Sequence, residues 1–179
     1  LKQLGPDHPS VATSYNNIGL VYDNKAEYDK ALEYYQKSLA IQLKQLGPDH
    51  PSVATSYHNI GLVHNNKGEY DKALEYFQKS LAIRLKQLGP EHLDVAYSYK
   101  NMAFALDAQG KTKEAREYVE KALAIRQKAL GAKHPSTLGS RENLEMLKRG
   151  ESITVGAWTK LGHIELGKAN YARATEFFQ

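Results

Sequence analysis

Apolar residues along this chain fall into two helical stripes that alternate and return every 42 residues. The first places Val11, Tyr15, Ile18, Gly19 and Tyr22 on one face of a 3.6-residue helix and predicts a helix over 10–24. The second carries Ala31, Leu32, Tyr35, Leu39 and Ile41 and predicts a longer helix over 28–46. Asp7-His8-Pro9 supplies a start signal, with a capping side chain followed by a proline in the first turn, where a missing N–H costs nothing. Gly47-Pro48 supplies the stop. Between the two helices lies a short polar turn, Asn24-Lys25-Ala26-Glu27. The same stripes predict further pairs at 52–66 with 70–88 and at 94–108 with 112–130. No strand is expected between 10 and 130.

The repetition is closer than a shared pattern. Leu1–Gln42 and Leu43–Arg84 agree at 36 of 42 positions, differing only at Asn16/His58, Tyr22/His64, Asp23/Asn65, Ala26/Gly68, Tyr35/Phe77 and Gln42/Arg84. A more diverged copy follows at 85–126, and the phase continues into 127–150. A fixed period of this size implies a stack of one supersecondary unit, each copy burying its apolar face on its neighbours. Small residues recur where paired helices must approach, at Gly19/Gly61/Ala103 and Ala31/Ala73/Ala115, with large ones opposite them at Tyr15/Tyr57/Tyr99 and Tyr35/Phe77/Val119.

At these residues the chain resembles the tetratricopeptide repeat family. Its aromatic–x2–Leu–Gly–x2–Tyr pattern stands here as Tyr15-x2-Ile18-Gly19-x2-Tyr22, and its second-helix alanine and aromatic as Ala31 and Tyr35. The period exceeds the usual one through a prolonged second helix and the loop 43–50, as in the longer repeats of kinesin light chains and of nephrocystin-3-like and bacterial members. The resemblance implies an all-α fold, a right-handed superhelical solenoid of antiparallel helix pairs. It also implies a cytoplasmic, non-enzymatic scaffold that holds protein or peptide partners in a concave groove. A rival from another class is a regulatory or sensor region of a larger protein, packed on a nucleotide-binding or effector domain of its own chain.

The array changes near its end. In the fourth copy, Arg141 and Glu145 occupy positions held elsewhere by a tyrosine and a small residue, so 127–150 reads as degenerate. Beyond it, Trp158-x2-Leu161-Gly162 and Tyr171-Ala-Arg-Ala174 repeat the pattern out of phase. Two readings follow: a second, truncated array over 151–179, or a second helix for the fourth copy drawn from 150–167. The first is preferred on the match of Tyr171–Ala174 to Tyr28–Ala31. The chain opens at Leu1 and closes at Gln179 inside a helical pattern, and so reads as an excised segment.

Charge and composition narrow the chemistry. Lysine and arginine number 24 against 20 acidic residues, giving a net charge of +4 with the signs interleaved. Glu33–Lys37 and Glu75–Lys79 have the order that supports a solvated helix face rather than a nucleic-acid stripe. No apolar run approaches the roughly 20 residues that span a bilayer. Without cysteine, neither a disulfide nor a thiolate nucleophile or ligand is available, and a cytosolic setting fits. Four of the seven histidines, His8, His50, His92 and His134, occupy one loop position a period apart, too far from one another to share a metal ion. They are expected to cap helices. No phosphate loop, nucleophile elbow or paired inward carboxylates are present, so neither cofactor nor metal is expected, and oligomeric state is not set.

One polar residue stands out. Asn17, Asn59, Asn101 and Asn143 recur at the full period, even where the core pattern decays. Asparagine suits neither helix propensity nor core burial, and its amide complements a peptide unit with one donor group and one acceptor. Similar repeat proteins clasp extended peptides with such a ladder; the alternative is that the amides bond the neighbouring helix or turn. The register places Thr13, Asn16, Leu20, Asp23 and Asn24 beside the first rung. Thr55, His58, Leu62, Asn65 and Asn66 flank the second, and Tyr97, Lys100, Phe104 and Asp107 the third. Leu20, Leu62 and Phe104 are expected to supply apolar pockets.

Overall fold

In the computed structural model, which describes residues 5–154, the chain is built from helices alone. Among the described residues these are α1 (Pro9–Asn24), α2 (Tyr28–Leu46), α3 (Pro51–Asn66), α4 (Tyr70–Leu88), α5 (Leu93–Ala108), α6 (Thr112–Leu130) and α7 (Pro135–Lys148). The odd-numbered helices are the first members of each pair, and each even-numbered helix also packs on the odd one that follows. The result is an all-α repeat solenoid. The predicted boundaries hold to within one residue at every helix of the three regular pairs.

Each odd helix begins in the same way. His8, His50, His92 and His134 adopt extended backbone, and each Nδ1 accepts the backbone N–H two residues on, at 3.1–3.2 Å. The imidazole thus satisfies one of the free donors of a helix start. A cation from the end of each even helix ties the loop down from outside: Lys44 pairs with Asp7, Lys86 with Asp49 and Lys128 with Glu91. The turn inside each pair needs a left-handed residue. Gly68 and Gly110 supply it, whereas the first copy places Ala26 there at φ 56°.

Close approach fixes the pairs. A β-carbon on Gly61 would lie 2.7 Å from the Phe77 ring, and one on Gly19 would lie 2.8 Å from the Tyr35 ring. Both rings are fully enclosed. In the third pair the small residue is Ala103 and the partner shrinks to Val119, also buried. Ring and methyl are thus alternative fillings of the same gap.

Two features depart from the expected stripes. Ile18 and Tyr22 were expected to share one buried face of the first helix with Val11, yet Ile18 is exposed and Val11 and Tyr22 are only half-buried. Their counterparts in later copies are covered by a preceding even helix, and among the described residues none precedes α1. At the other end the backbone is helical again at Ile153 and Thr154. Ile153 is buried in one cluster with Ala103, Val119, Leu144 and Leu147. The out-of-phase pattern at 158–174, on which the two readings of 151–179 turn, lies outside the described residues.

The gap-filling argument makes a paired expectation. Gly61→Ala should destabilise the array by about 1–3 kcal/mol, as overpacking typically does. Adding Phe77→Val, which recreates the Ala–Val pair of the third repeat, should recover most of that loss. Chemical denaturation of the two variants checks it; a double variant no more stable than the single one would remove the complementarity.

Candidate functional site

The asparagine rungs bring the odd helices together side by side. Asn59 Nδ2 donates to Asn16 Oδ1 at 3.1 Å, and Asn101 Nδ2 meets His58 Nε2 at the same distance. Asn59 and Asn101 therefore each reach back to the residue one place earlier in the preceding repeat. The ladder is a line of cross-links between α1, α3 and α5 as well as a row of amides. A side-chain amide has two donor hydrogens and two acceptor lone pairs, so one such bond leaves donor and acceptor capacity on each rung. Asn17 is exposed, and Asn59, Asn101 and Asn143 are half-buried.

Around the rungs the predicted residues separate by exposure. Leu20, Thr13, Thr55 and Tyr97 are open to solvent, and Asn16, Leu62, Phe104 and Lys100 are half-buried. Lys100 Nζ stands 5.4 Å from the centre of the Phe104 ring. His58 is different, at 3% exposure, wedged against the Tyr97 ring at 4.9 Å and the Phe77 ring at 5.4 Å. Because its Nε2 accepts from Asn101, its Nδ1 carries the proton, enclosed without a partner among the described residues. Asp107 is also buried. Its Oδ2 accepts the backbone N–H groups of Ile153 and Thr154 at 2.9 and 3.3 Å and the Ser152 hydroxyl at 2.6 Å. It caps the next helical turn rather than facing outward.

Sequence reasoning missed two cations beside this row. Arg84 on α4 donates through Nη1 to Ser98 Oγ at 2.7 Å and to the Asp94 carbonyl at 3.2 Å. Arg126 on α6 makes the same pair of bonds, to Ser140 Oγ at 2.6 Å and the Ser136 carbonyl at 3.4 Å. In the first junction the place is taken by Gln42, whose Oε1 accepts from Ser56 Oγ at 2.8 Å. Gln42/Arg84 is one of six differences between the near-identical copies, and that was the available signal. Burial lowers the pKa of both guanidinium groups, and it lowers that of Lys100 too, with repulsion from Arg126 adding to the effect. All three cations are half out of water; Arg84 and Arg126 donate to neutral oxygens, and the Asp94 carboxylate also acts on Arg84.

The same exchange leaves a trace beneath Arg84. In the first repeat Ser38 Oγ donates to the Ala12 carbonyl at 2.7 Å and accepts from Gln42 Nε2 at 3.3 Å. Ser80, its counterpart, is fully buried with no partner for Oγ among the described residues. The third repeat has Ala122 at that position.

The family profile described as tetratricopeptide repeat matches residues 1–43, 24–86 and 52–128. The chain belongs to the tetratricopeptide repeat family. Solved structures of similar shape agree. Nearly identical tetratricopeptide-like repeats from a Podosopora anserina kinesin light chain-like protein are 30% identical, covering 96% of this chain and 81% of that one, with a TM-score of 0.71. BtubC (BKLC) of P. vanneervenii is 24% identical over 98% of this chain and 67% of that one, with a TM-score of 0.73. The N-terminal domain of stress-induced protein-1 from C. elegans, at 14% identity, covers 76% of this chain and 96% of that one with a TM-score of 0.58, and shares the fold alone. No curated protein matches the chain significantly. Tetratricopeptide repeats are generally protein–protein interaction modules, and kinesin light chain-like members are generally non-catalytic scaffolds. Among the described residues of this array, no helix is long and apolar enough to cross a membrane.

Two outcomes are expected from this geometry. Ser80→Ala should be neutral or stabilising, because it deletes an orphaned hydroxyl, whereas Ser38→Ala should destabilise by about 1–3 kcal/mol by leaving the Ala12 carbonyl and Gln42 amide short of partners. Equal melting temperatures for the two variants would contradict it. The second concerns acid. Burial, with Arg84 nearby, pushes the His58 imidazole down from 6.5 to about 3. The unfolded chain therefore binds a proton that the folded one refuses, so this stabilisation is complete above pH 6.5 and is lost as pH falls toward 3. His58→Asn, which restores the first-repeat residue, should flatten the fall in stability between about pH 6.5 and pH 4. Denaturant titrations at several pH values measure the slope, and an unchanged slope would assign the acid sensitivity elsewhere.

Proposed function

We propose that this array is a non-enzymatic scaffold that holds an extended peptide along the face lined by α1, α3, α5 and α7, with an acidic residue of the peptide seated at Lys100 and Arg126. The observation that carries the reading is the half-buried Lys100, desolvated and repelled by Arg126, in register with the asparagine rungs. A carboxylate placed there would relieve both penalties, since an opposite charge within a few ångströms favours the ionised form. The contact row is Asn17, Asn59, Asn101 and Asn143, with Asn16 and Lys100 beside it and Leu20, Leu62 and Phe104 as apolar seats. His58 supports the row from beneath.

Spacing agrees with an extended ligand. Neighbouring first helices stand about 10 Å apart and an extended peptide rises about 3.3 Å per residue, so one rung meets every third peptide residue. Three rungs then accommodate a segment of roughly six to ten residues. Main-chain hydrogen bonds would supply affinity, with the apolar seats and the cation supplying selection.

Peptide mapping of what the immobilised chain retains from a proteome digest, followed by titration of a retained peptide, tests the reading. Retained segments should be enriched in aspartate or glutamate flanked by apolar residues, and binding should weaken as salt rises. Each rung changed to alanine should weaken binding by up to about tenfold, matching a net hydrogen bond of about 0.5–1.5 kcal/mol. Asn17→Ala, Asn59→Ala and Asn101→Ala together should nearly abolish it, and Lys100→Glu should select against acidic segments. Helix content is followed by circular dichroism, because Asn59 and Asn101 also tie helices together. Retained segments without acidic enrichment, bound equally well by the folded triple variant, would overturn the proposal.

A further inference from the structure

The first two repeats differ at six positions, and with histidine counted as neutral only two of those differences change charge. Asp23 gives way to Asn65 and Gln42 to Arg84, one unit each, and both changes make the second copy more positive. Neither falls at random over the surface. Arg84 stands beside the asparagine rungs through its bond to Ser98. Asp23 lies seven residues beyond Asn16 on the same helix, and its Oδ1 accepts from Asn66 Nδ2 at 3.4 Å. That bond spans 43 residues between α1 and α3, as the bond from Asn59 to Asn16 does, so Asp23 belongs to the same face two turns further along. The third repeat extends the trend, with Lys100 at the Asn16 place and Arg126 at the Gln42 place. Its own aspartate, Asp107, is occupied in accepting from the backbone of Ile153 and Thr154.

One carboxylate at the first repeat therefore faces a group of cations at the third. Asp23 is half-buried, and among the described residues its polar contact is a neutral amide rather than a cation. Burial raises its pKa above the ordinary value, with the Asn66 amide offsetting part of the rise. Lys100 carries the mirror-image penalty at the other end. Resting on the peptide-binding reading above, we propose that the groove takes a segment of mixed charge, with a lysine or arginine seated at Asp23 and the acidic residue at Lys100 and Arg126. An opposite charge at each end favours the ionised form of the half-buried group there. The spacing follows from the helices. From α1 to α5 is about 20 Å across two helix separations, and seven residues of helix add about 10 Å along the axis. The diagonal is about 22 Å, which an extended chain covers in about six or seven residues.

Random dodecapeptides displayed on phage are selected on the immobilised full chain and on its Asp23→Asn variant. That change installs the second-repeat residue, whose side-chain oxygen can still accept from Asn66, and circular dichroism checks that helix content is kept. Sequences selected by the parent should pair a lysine or arginine with an aspartate or glutamate six or seven residues away. The variant should lose the basic preference and keep the acidic one. A synthetic peptide from the parent selection should bind Asp23→Asn about tenfold or more weakly, as expected for a lost hydrogen bond to a charged group. The same peptide with its basic residue changed to glutamate should bind Asp23→Lys better than it binds the parent. Acidic enrichment without a basic residue at that spacing, or a basic preference unchanged in Asp23→Asn, would overturn this inference and leave the peptide face standing. Selections without acidic enrichment would overturn it too, and would remove the peptide face as well when the folded triple asparagine variant binds them equally.

Discussion

The contact between Gly61 and the Phe77 ring sets how near the two helices of the second repeat can lie, and every side chain those helices carry is placed by it. A methyl group there would have to share space with a ring atom at 2.7 Å. Since α4 also covers α5, an error in that distance passes to the next pair. Close packing transmits such strain because interiors hold few voids to absorb it. The asparagine rungs depend on the same spacing, since a hydrogen bond of 3.1 Å between α1 and α3 survives only if both helices keep their separation.

Polar links between repeats vary more than the apolar ones. Gln42, Arg84 and Arg126 occupy one position and all meet a serine 14 residues on. The exchange from neutral amide to guanidinium leaves the helix contact in place and changes the electrostatics of the adjoining face. It adds positive charge near Tyr97, Lys100 and His58 while the histidine caps at the helix starts stay the same. Exposed pairs such as Lys44–Asp7 contribute little to stability on their own. The charges that matter are the few withdrawn from water.

Helix positions were legible because period, caps and breakers all mark the same boundaries. A proline in the first turn, a histidine before it and a glycine after the even helix each act locally. What lies across a junction was less legible. The sequence marks Asn59 as unusual, but its bond to Asn16 depends on how two helices 43 residues apart are set side by side. Arg84 lies on a second helix, away from the rungs in sequence, and enters the site only through packing. Asp107 shows the limit from the other side. Its helical register suggests an outward face, yet the backbone turn at 152–154 comes to it and buries it. Exposure of Ile18 and Val21 was likewise hidden, because their stripe is the same as one that is buried.

Near-identity of the first two copies also bears on how the chain reaches this arrangement. The faces of α2 and α4 differ at only two residues, so each is a competent cover for either α3 or α5 during collapse. Pairings shifted by a whole period compete with the native one, and contact between sequence neighbours favours the latter by closing the shorter loop. The few differences between copies then act as register marks. Tyr35/Phe77, Asn16/His58 and Gln42/Arg84 are places where a shifted pairing would present a different side chain at the junction. Divergence at those positions is what tells otherwise interchangeable segments apart as they stack.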